Sequence, residues 1–180
     1  MKGIINKGIE EFVTKKFGAE TWEKIKSLAG CEEPFFTVSF DYPDEMTVAL
    51  VKAASEASGL PMDAVMIDYG KYLVPNTLKE NYPTYFKLAG SSPREFLLNM
   101  NYVHEHVTRN TPSSTPPKFR YEELTDGRLL MKYQSKRMLC PVLHGLILGV
   151  GILFDQELKV RETACMKKGD PECIMEVTFP

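Results

Sequence analysis

This sequence predicts an α+β fold, with a helical N-terminal subdomain of about residues 1–60 packed on a C-terminal subdomain of antiparallel sheet and helices over about 61–180. Three observations carry that expectation. Apolar residues recur at helical spacing through roughly the first 110 residues. At the proline-rich stretch Thr111–Pro117 the texture changes to short segments bounded by turn residues. Runs of helices followed by runs of strands, without regular alternation, mark α+β.

The elements follow in order. Ile4, Ile5, Gly8, Ile9, Phe12 and Val13 share a helical face, and Gly18 stops that helix. A short second helix opens at Thr21 and ends near Gly30. Asp44 or Thr47 caps a third helix through Ser58, with Gly59 beyond its end. Pro61 begins a fourth, to about Leu73, and another short helix covers 77–88. Ser92, Pro93 and Glu95 make a helix start, and one long helix is expected to reach Arg109. Thr111–Pro117 reads as a stiff turn, since each proline fixes its own φ and removes a donor. Strands are expected at 118–123 and 129–135, turning at Asp126-Gly127, then an apolar helix over 141–154. Leu158–Met166 and Cys173–Phe179 close the chain as a hairpin around Gly169.

The chain has 180 residues, 43% of them hydrophobic, which is most simply one soluble domain large enough for a core and an internal ligand pocket. A net charge of −2 and the absence of a basic run argue against nucleic acid as a partner. Lys7, Glu10 and Glu11 interrupt the N-terminus too soon for a secretory signal. The longest apolar run, Gly145–Phe154, is half the length of the ~20 residues that span a membrane. Four cysteines do not make a disulfide-rich framework, so a cytoplasmic location is expected.

Chemistry concentrates in a few positions. Tyr133, Ser135 and Arg137 stand at spacing two, so an extended strand projects them from one face. Two hydroxyls and a guanidinium fork suit a pair of carboxylates, although a polar face of an edge strand has the same pattern. His104 falls inside the apolar face traced by Phe96, Leu97, Met100, Val103 and Val107, whereas His106 is about 200° round, on the wet side. His104 is either a core histidine bonded to a carbonyl or a metal ligand. A carboxylate clamp plus one imidazole points to a cofactor that carries both acids and iron, and haem is the candidate. Cys165 and Cys173 lie four residues either side of Gly169, opposite one another in the expected hairpin, and Cys140 precedes the apolar helix. They are small buried apolar residues, a metal site or an oxidisable trio. Cys31 has no evident partner, and His144 sits ambiguously in the late apolar helix.

Several segments occur together and in order: Met1-Lys2-Gly3-Ile4-Ile5, Val103-His104-Glu105-His106-Val107, Thr115-Pro116-Pro117, Tyr133-Gln134-Ser135-Lys136-Arg137 and Gly145-Leu146-Ile147. In this the chain resembles the H-NOX family, haem nitric oxide/oxygen binding domains related to the haem domain of soluble guanylate cyclase. The resemblance covers essentially the whole chain and implies a free-standing protein or an excised domain, with haem b buried between the two subdomains. It implies that His104 is the proximal iron ligand and that Tyr133, Ser135 and Arg137 hold the propionates. Ile5 and Pro117 match positions that press on the porphyrin and distort it, and Leu146 lines the same pocket. In oxygen-binding members a tyrosine in the helix after the Tyr-x-Ser-x-Arg motif donates a hydrogen bond to O2. The matching residue here is Val142, and other polar positions of that class match Ile9 and Leu73 or Val74. A pocket without a donor is expected to bind NO and CO and to exclude O2, since a hydrogen bond to a charged acceptor contributes ~1.5–3 kcal/mol.

The resemblance also implies a mechanism and partners. NO weakens the iron–histidine bond, and release of His104 moves its helix for a partner protein to read. Relatives act on signalling proteins such as histidine kinases or cyclic-di-nucleotide enzymes. Some members hold zinc with cysteines at the places of Cys140, Cys165 and Cys173 and a histidine where this chain has Glu162. Two other classes compete with the gas sensor. A small haem enzyme needs a distal acid–base group, which Ile9, Leu73 and Val142 do not supply. A haem-free zinc-binding or redox-responsive cysteine module needs no haem at all.

Overall fold

The computed structural model describes residues 1–109, 116–135 and 137–180. The stiff turn expected over 111–117 lies outside the described residues except at Pro116 and Pro117.

Helix α1 runs Gly3–Phe17 and ends at Gly18, whose φ of 91° places it where a side chain would be strained. Helix α2 (Ala19–Ala29) ends on a left-handed Gly30. Asp44 is not the cap of α3 (Asp44–Ser58). Pro43 takes that place, and no side chain caps the helix, because the Asp44 carboxylate is engaged elsewhere.

Helix α4 (Met62–Leu73) does not stop at Pro75. The missing N–H is absorbed by a wider π turn over Val74–Leu78, followed by α5 (Lys79–Asn81). Tyr82, extended ahead of a proline, separates α5 from α6 (Pro83–Ala89), so the single helix expected over 77–88 is in pieces. The long helix expected to Arg109 is likewise two. Ser92 Oγ accepts the Glu95 N–H at 3.2 Å to start α7 (Pro93–Leu98). Asn99 then leaves helical geometry, donates its amide to the Ala89 carbonyl at 2.9 Å, and α8 (Met100–Thr108) begins.

Strands β1 (Lys118–Glu123), β2 (Leu129–Gln134), β3 (Lys159–Ala164) and β4 (Cys173–Thr178) form one antiparallel sheet in the order β1-β2-β4-β3. Helix α9 (Cys140–Leu153) connects β2 to β3. None of the helices is long and apolar enough to cross a membrane, among the described residues.

Two apolar clusters result. One gathers α1–α4 around Ile9, Leu50 and Leu73; the other gathers the sheet, α7 and α9 around Leu129, Ile147 and Met175. Leu146 and Leu78 pack against both. The clusters are joined where α4 crosses α9 almost backbone to backbone. A Cβ on Gly145 would stand 2.1 Å from the Ile67 carbonyl oxygen, and one on Gly70 2.6 Å from that of Val142. Only glycine permits this approach, which lays Val142 and Leu146 beside Leu73 and Val74.

Candidate functional site

His104 stands near the middle of α8, in a helix without a fully buried side chain. Its Nδ1 is nevertheless buried and has no hydrogen-bond partner among the described residues. The ring lies 5.8 Å from that of Phe119, which in turn stacks on Tyr133 at 5.9 Å. Burial pushes the imidazole pKa below its ordinary value, with the Pro117 backbone opposing in part. The imidazole is therefore neutral near pH 7, the form that ligates a metal. His106 is different: its ring lies 3.9 Å from that of Tyr102 and its Nδ1 meets the Tyr102 carbonyl at 2.8 Å.

Strand β2 ends at Gln134, so only Tyr133 of the Tyr-x-Ser-x-Arg motif projects from a strand. Ser135 and Arg137 lie in the turn that follows, closed by the Met138 N–H on the Ser135 carbonyl at 3.1 Å. Met138, at φ 49°, redirects the chain into α9. The motif still converges. The Tyr133 hydroxyl meets the Ser135 side chain and the Leu139 backbone, and Ser135 Oγ accepts the Arg137 N–H at 3.3 Å. Arg137 Nε reaches the Asp44 carboxylate on α3 at 2.6 Å. Asp44 also receives the Met1 ammonium at 2.8 Å. Hydrogen bonding from Arg137 first, and from the N-terminus second, holds the Asp44 carboxyl below its ordinary value of 3.8.

The apolar positions line the same seam. Ile9, Leu73 and Val74 are buried, while Ile5, Pro117, Val142 and Leu146 are half-buried. Ile5, Val142 and Leu146 pack against the N-terminal cluster. None carries a hydrogen-bond donor on its side chain. A planar apolar group with two acids and one metal fits this donor set: one unpaired imidazole nitrogen, apolar walls, and two hydroxyls with a guanidinium at one edge.

Sequence reasoning missed two residues here. Tyr69, buried beside Ile9, donates its hydroxyl to the Ile5 carbonyl at 2.8 Å and so offers no proton to the seam. Asp44 was expected only as a helix cap. Its partners lie 43 and 93 residues away, and nothing local signals them.

The cysteines divide as expected. Cys31 is buried in the N-terminal cluster, while the Sγ atoms of Cys140, Cys165 and Cys173 lie within 4.8 Å of one another and are all buried. Glu162 does not join them. Its carboxylate pairs with Lys168 Nζ at 2.9 Å, beside a bulge that shifts β3 against β4 between Glu162 and Ala164.

The comparisons with known proteins agree with this geometry. The family description Haem-NO-binding (HNOB) matches residues 2–162. Soluble guanylate cyclase gcy-35 of Caenorhabditis elegans is 29% identical over 173 residues, 90% of this chain but 25% of its own length. The chain thus spans about a quarter of that relative. An H-NOX protein from S. oneidensis in the Fe(II)NO state superposes with a TM-score of 0.92 at 20% identity, covering 100% of this chain and 99% of that one. An oxygen-binding H-NOX domain related to soluble guanylate cyclases, solved as its oxygen complex, superposes at 0.84 with 25% identity, covering 99% and 95%. Fold, site and sequence therefore agree: the chain belongs to the haem-NO-binding, or H-NOX, family of haem-binding gas-sensor domains related to soluble guanylate cyclase.

Proposed function

We propose that this chain senses NO, also binds CO, excludes O2, and passes the signal to a partner protein in the cytoplasm. Haem b, when bound, supplies a ferrous iron with one face open to a diatomic gas. His104 would hold that iron, and Tyr133, Ser135 and Arg137 would hold the propionates. Ile5 and Pro117 would press on the ring from opposite subdomains.

The observation that carries the gas assignment is the chemistry of the seam. The side chains of Ile9, Leu73, Val74 and Val142 offer no proton, and the Tyr69 hydroxyl is spent on the Ile5 carbonyl. NO and CO depend on a donor far less than O2 does. The solved relatives include both an NO complex and an O2 complex, so this residue chemistry is the support for the choice.

His104 is also the element that can move. It rides on a helix of nine residues with no fully buried side chain, so its release shifts α8 relative to the N-terminal helices. A histidine kinase or a cyclic-di-nucleotide enzyme is the class of partner that would read the change. The test uses the reduced, haem-loaded protein. The spectrum should remain that of the unliganded ferrous form in air and change on adding NO. A lasting oxygen adduct overturns the gas assignment. Replacing His104→Gly and supplying imidazole should retain haem while NO no longer alters the surface around α8, read by hydrogen exchange. Undiminished exchange changes in that variant would remove His104 as the trigger.

A further inference from the structure

Three buried thiols converge on a point outside the seam, and the structure shows what completes them. Cys140 opens α9, Cys173 opens β4 opposite Tyr133, and Cys165 follows β3. The Cys140 and Cys165 Sγ atoms are 3.5 Å apart. The Met166 N–H donates to Cys173 Sγ at 3.3 Å, as it would to a thiolate ligand. Metal–sulfur bonds of about 2.3 Å require sulfur atoms about 4 Å apart, so this trio is already near three corners of a tetrahedron. A structural zinc site needs a fourth corner.

Three side chains are candidates for it. Asp170 is engaged, its carboxylate accepting the Cys165 N–H at 2.7 Å. Glu162 is engaged by Lys168 at 2.9 Å. His144 is four residues after Cys140 on α9, one turn on and on the same face. It makes no hydrogen bond to the described residues and is half-buried. The Glu162 carboxylate lies close enough to support its protonated form, as β3 brings that residue to the α9 side of the sheet. Lys71 is the other charge acting on it.

We propose that Cys140, Cys165, Cys173 and His144 form a zinc site of three thiolates and one imidazole, with Glu162 as the carboxylate that orients the imidazole and not as a ligand. A helix that offers Cys and His at i and i+4 supplies two adjacent corners. A carboxylate behind a metal-bound imidazole is the usual outer partner of such a ligand. His144 reaches the trio by a change of side-chain rotamer. The site is independent of the haem assignment, and its failure would leave that assignment intact.

The test is zinc affinity of the full haem-loaded chain, measured by competition with a chromophoric chelator, with Co²⁺ absorption reporting the ligand set. The parent should bind one equivalent of zinc. His144→Ala should weaken binding about 100-fold or more, as loss of one of four ligands does. Glu162→Gln should weaken it about 10-fold. His144→Ala combined with Glu162→His should restore tight binding by placing an imidazole on β3. The proposal is overturned if the parent binds less than half an equivalent, or if His144→Ala binds zinc as the parent does. It is also overturned if Glu162→Gln costs more than His144→Ala. Failure of the double variant to recover, together with a lowered melting temperature of His144→Ala, would make His144 a packing residue and overturn it too.

Discussion

The two walls of the seam are built in opposite ways. On one side α4 and α9 meet through Gly70, Gly145 and Gly149, with backbone atoms filling the space where side chains would stand. On the other side α7 and α8 are short, broken at Asn99, and α8 has no fully buried side chain. The first wall carries Leu73, Val74, Val142 and Leu146; the second carries His104. Close backbone packing leaves little room for displacement, whereas half-buried side chains can slide at low cost. A rigid wall suits discrimination between gases, and a loosely held one suits movement.

The largest expected effect attacks the rigid wall. Gly145→Ala places a methyl 2.1 Å from the Ile67 carbonyl oxygen, so α4 and α9 must part. A loss of about 3 kcal/mol by denaturant titration is expected, at the upper end of overpacking costs. A variant as stable as the parent would show that the crossing yields freely. Next comes a change to the chemistry of that wall without its packing. Val142→Tyr supplies a donor worth about 2 kcal/mol to a charged acceptor, so O2 should be retained roughly 30-fold longer in stopped-flow dissociation. Unchanged O2 behaviour would mean that residue 142 does not face the gas.

The smallest effect concerns the fastening between the walls. Asp44→Asn removes the charge shared by Met1 and Arg137, and at 39% exposure the pair is worth under about 1 kcal/mol. The sign with pH follows from the depressed Asp44 carboxyl. Its contribution is complete above the ordinary value of 3.8 and is lost as pH falls through the lower folded value. Parent and variant melting temperatures should therefore differ at pH 7 and converge in strong acid. A gap that persists there would assign the stabilisation to something other than this charge.

Much of this molecule could be read from residue order because local physics decides it. Gly18, Gly30 and Gly59 end helices, Ser92 starts one through a bond three residues on, and the Gly169 turn sets Cys165 against Cys173. His104 was distinguishable from His106 because a 3.6-residue period sorts buried from wet positions two apart. The breaks at Asn99 and Tyr82 were not legible, since helical periodicity continues through them while a carbonyl elsewhere in the fold or the next proline decides the backbone. The end of β2 was equally hidden, so Ser135 and Arg137 took a turn where alternation suggested a strand.

Composition, periodicity and motif spacing by themselves determined the α+β class, the helices and strands in outline, and which side chains carry the chemistry. Tertiary structure alone decided their company: Asp44 with Arg137, Tyr69 with Ile5, Glu162 with Lys168 and not with the thiols. The physical reason is range. Turns and helix ends are set by a few neighbouring dihedrals and hydrogen bonds. Partners tens of residues away are chosen only when the packed cores bring their elements together.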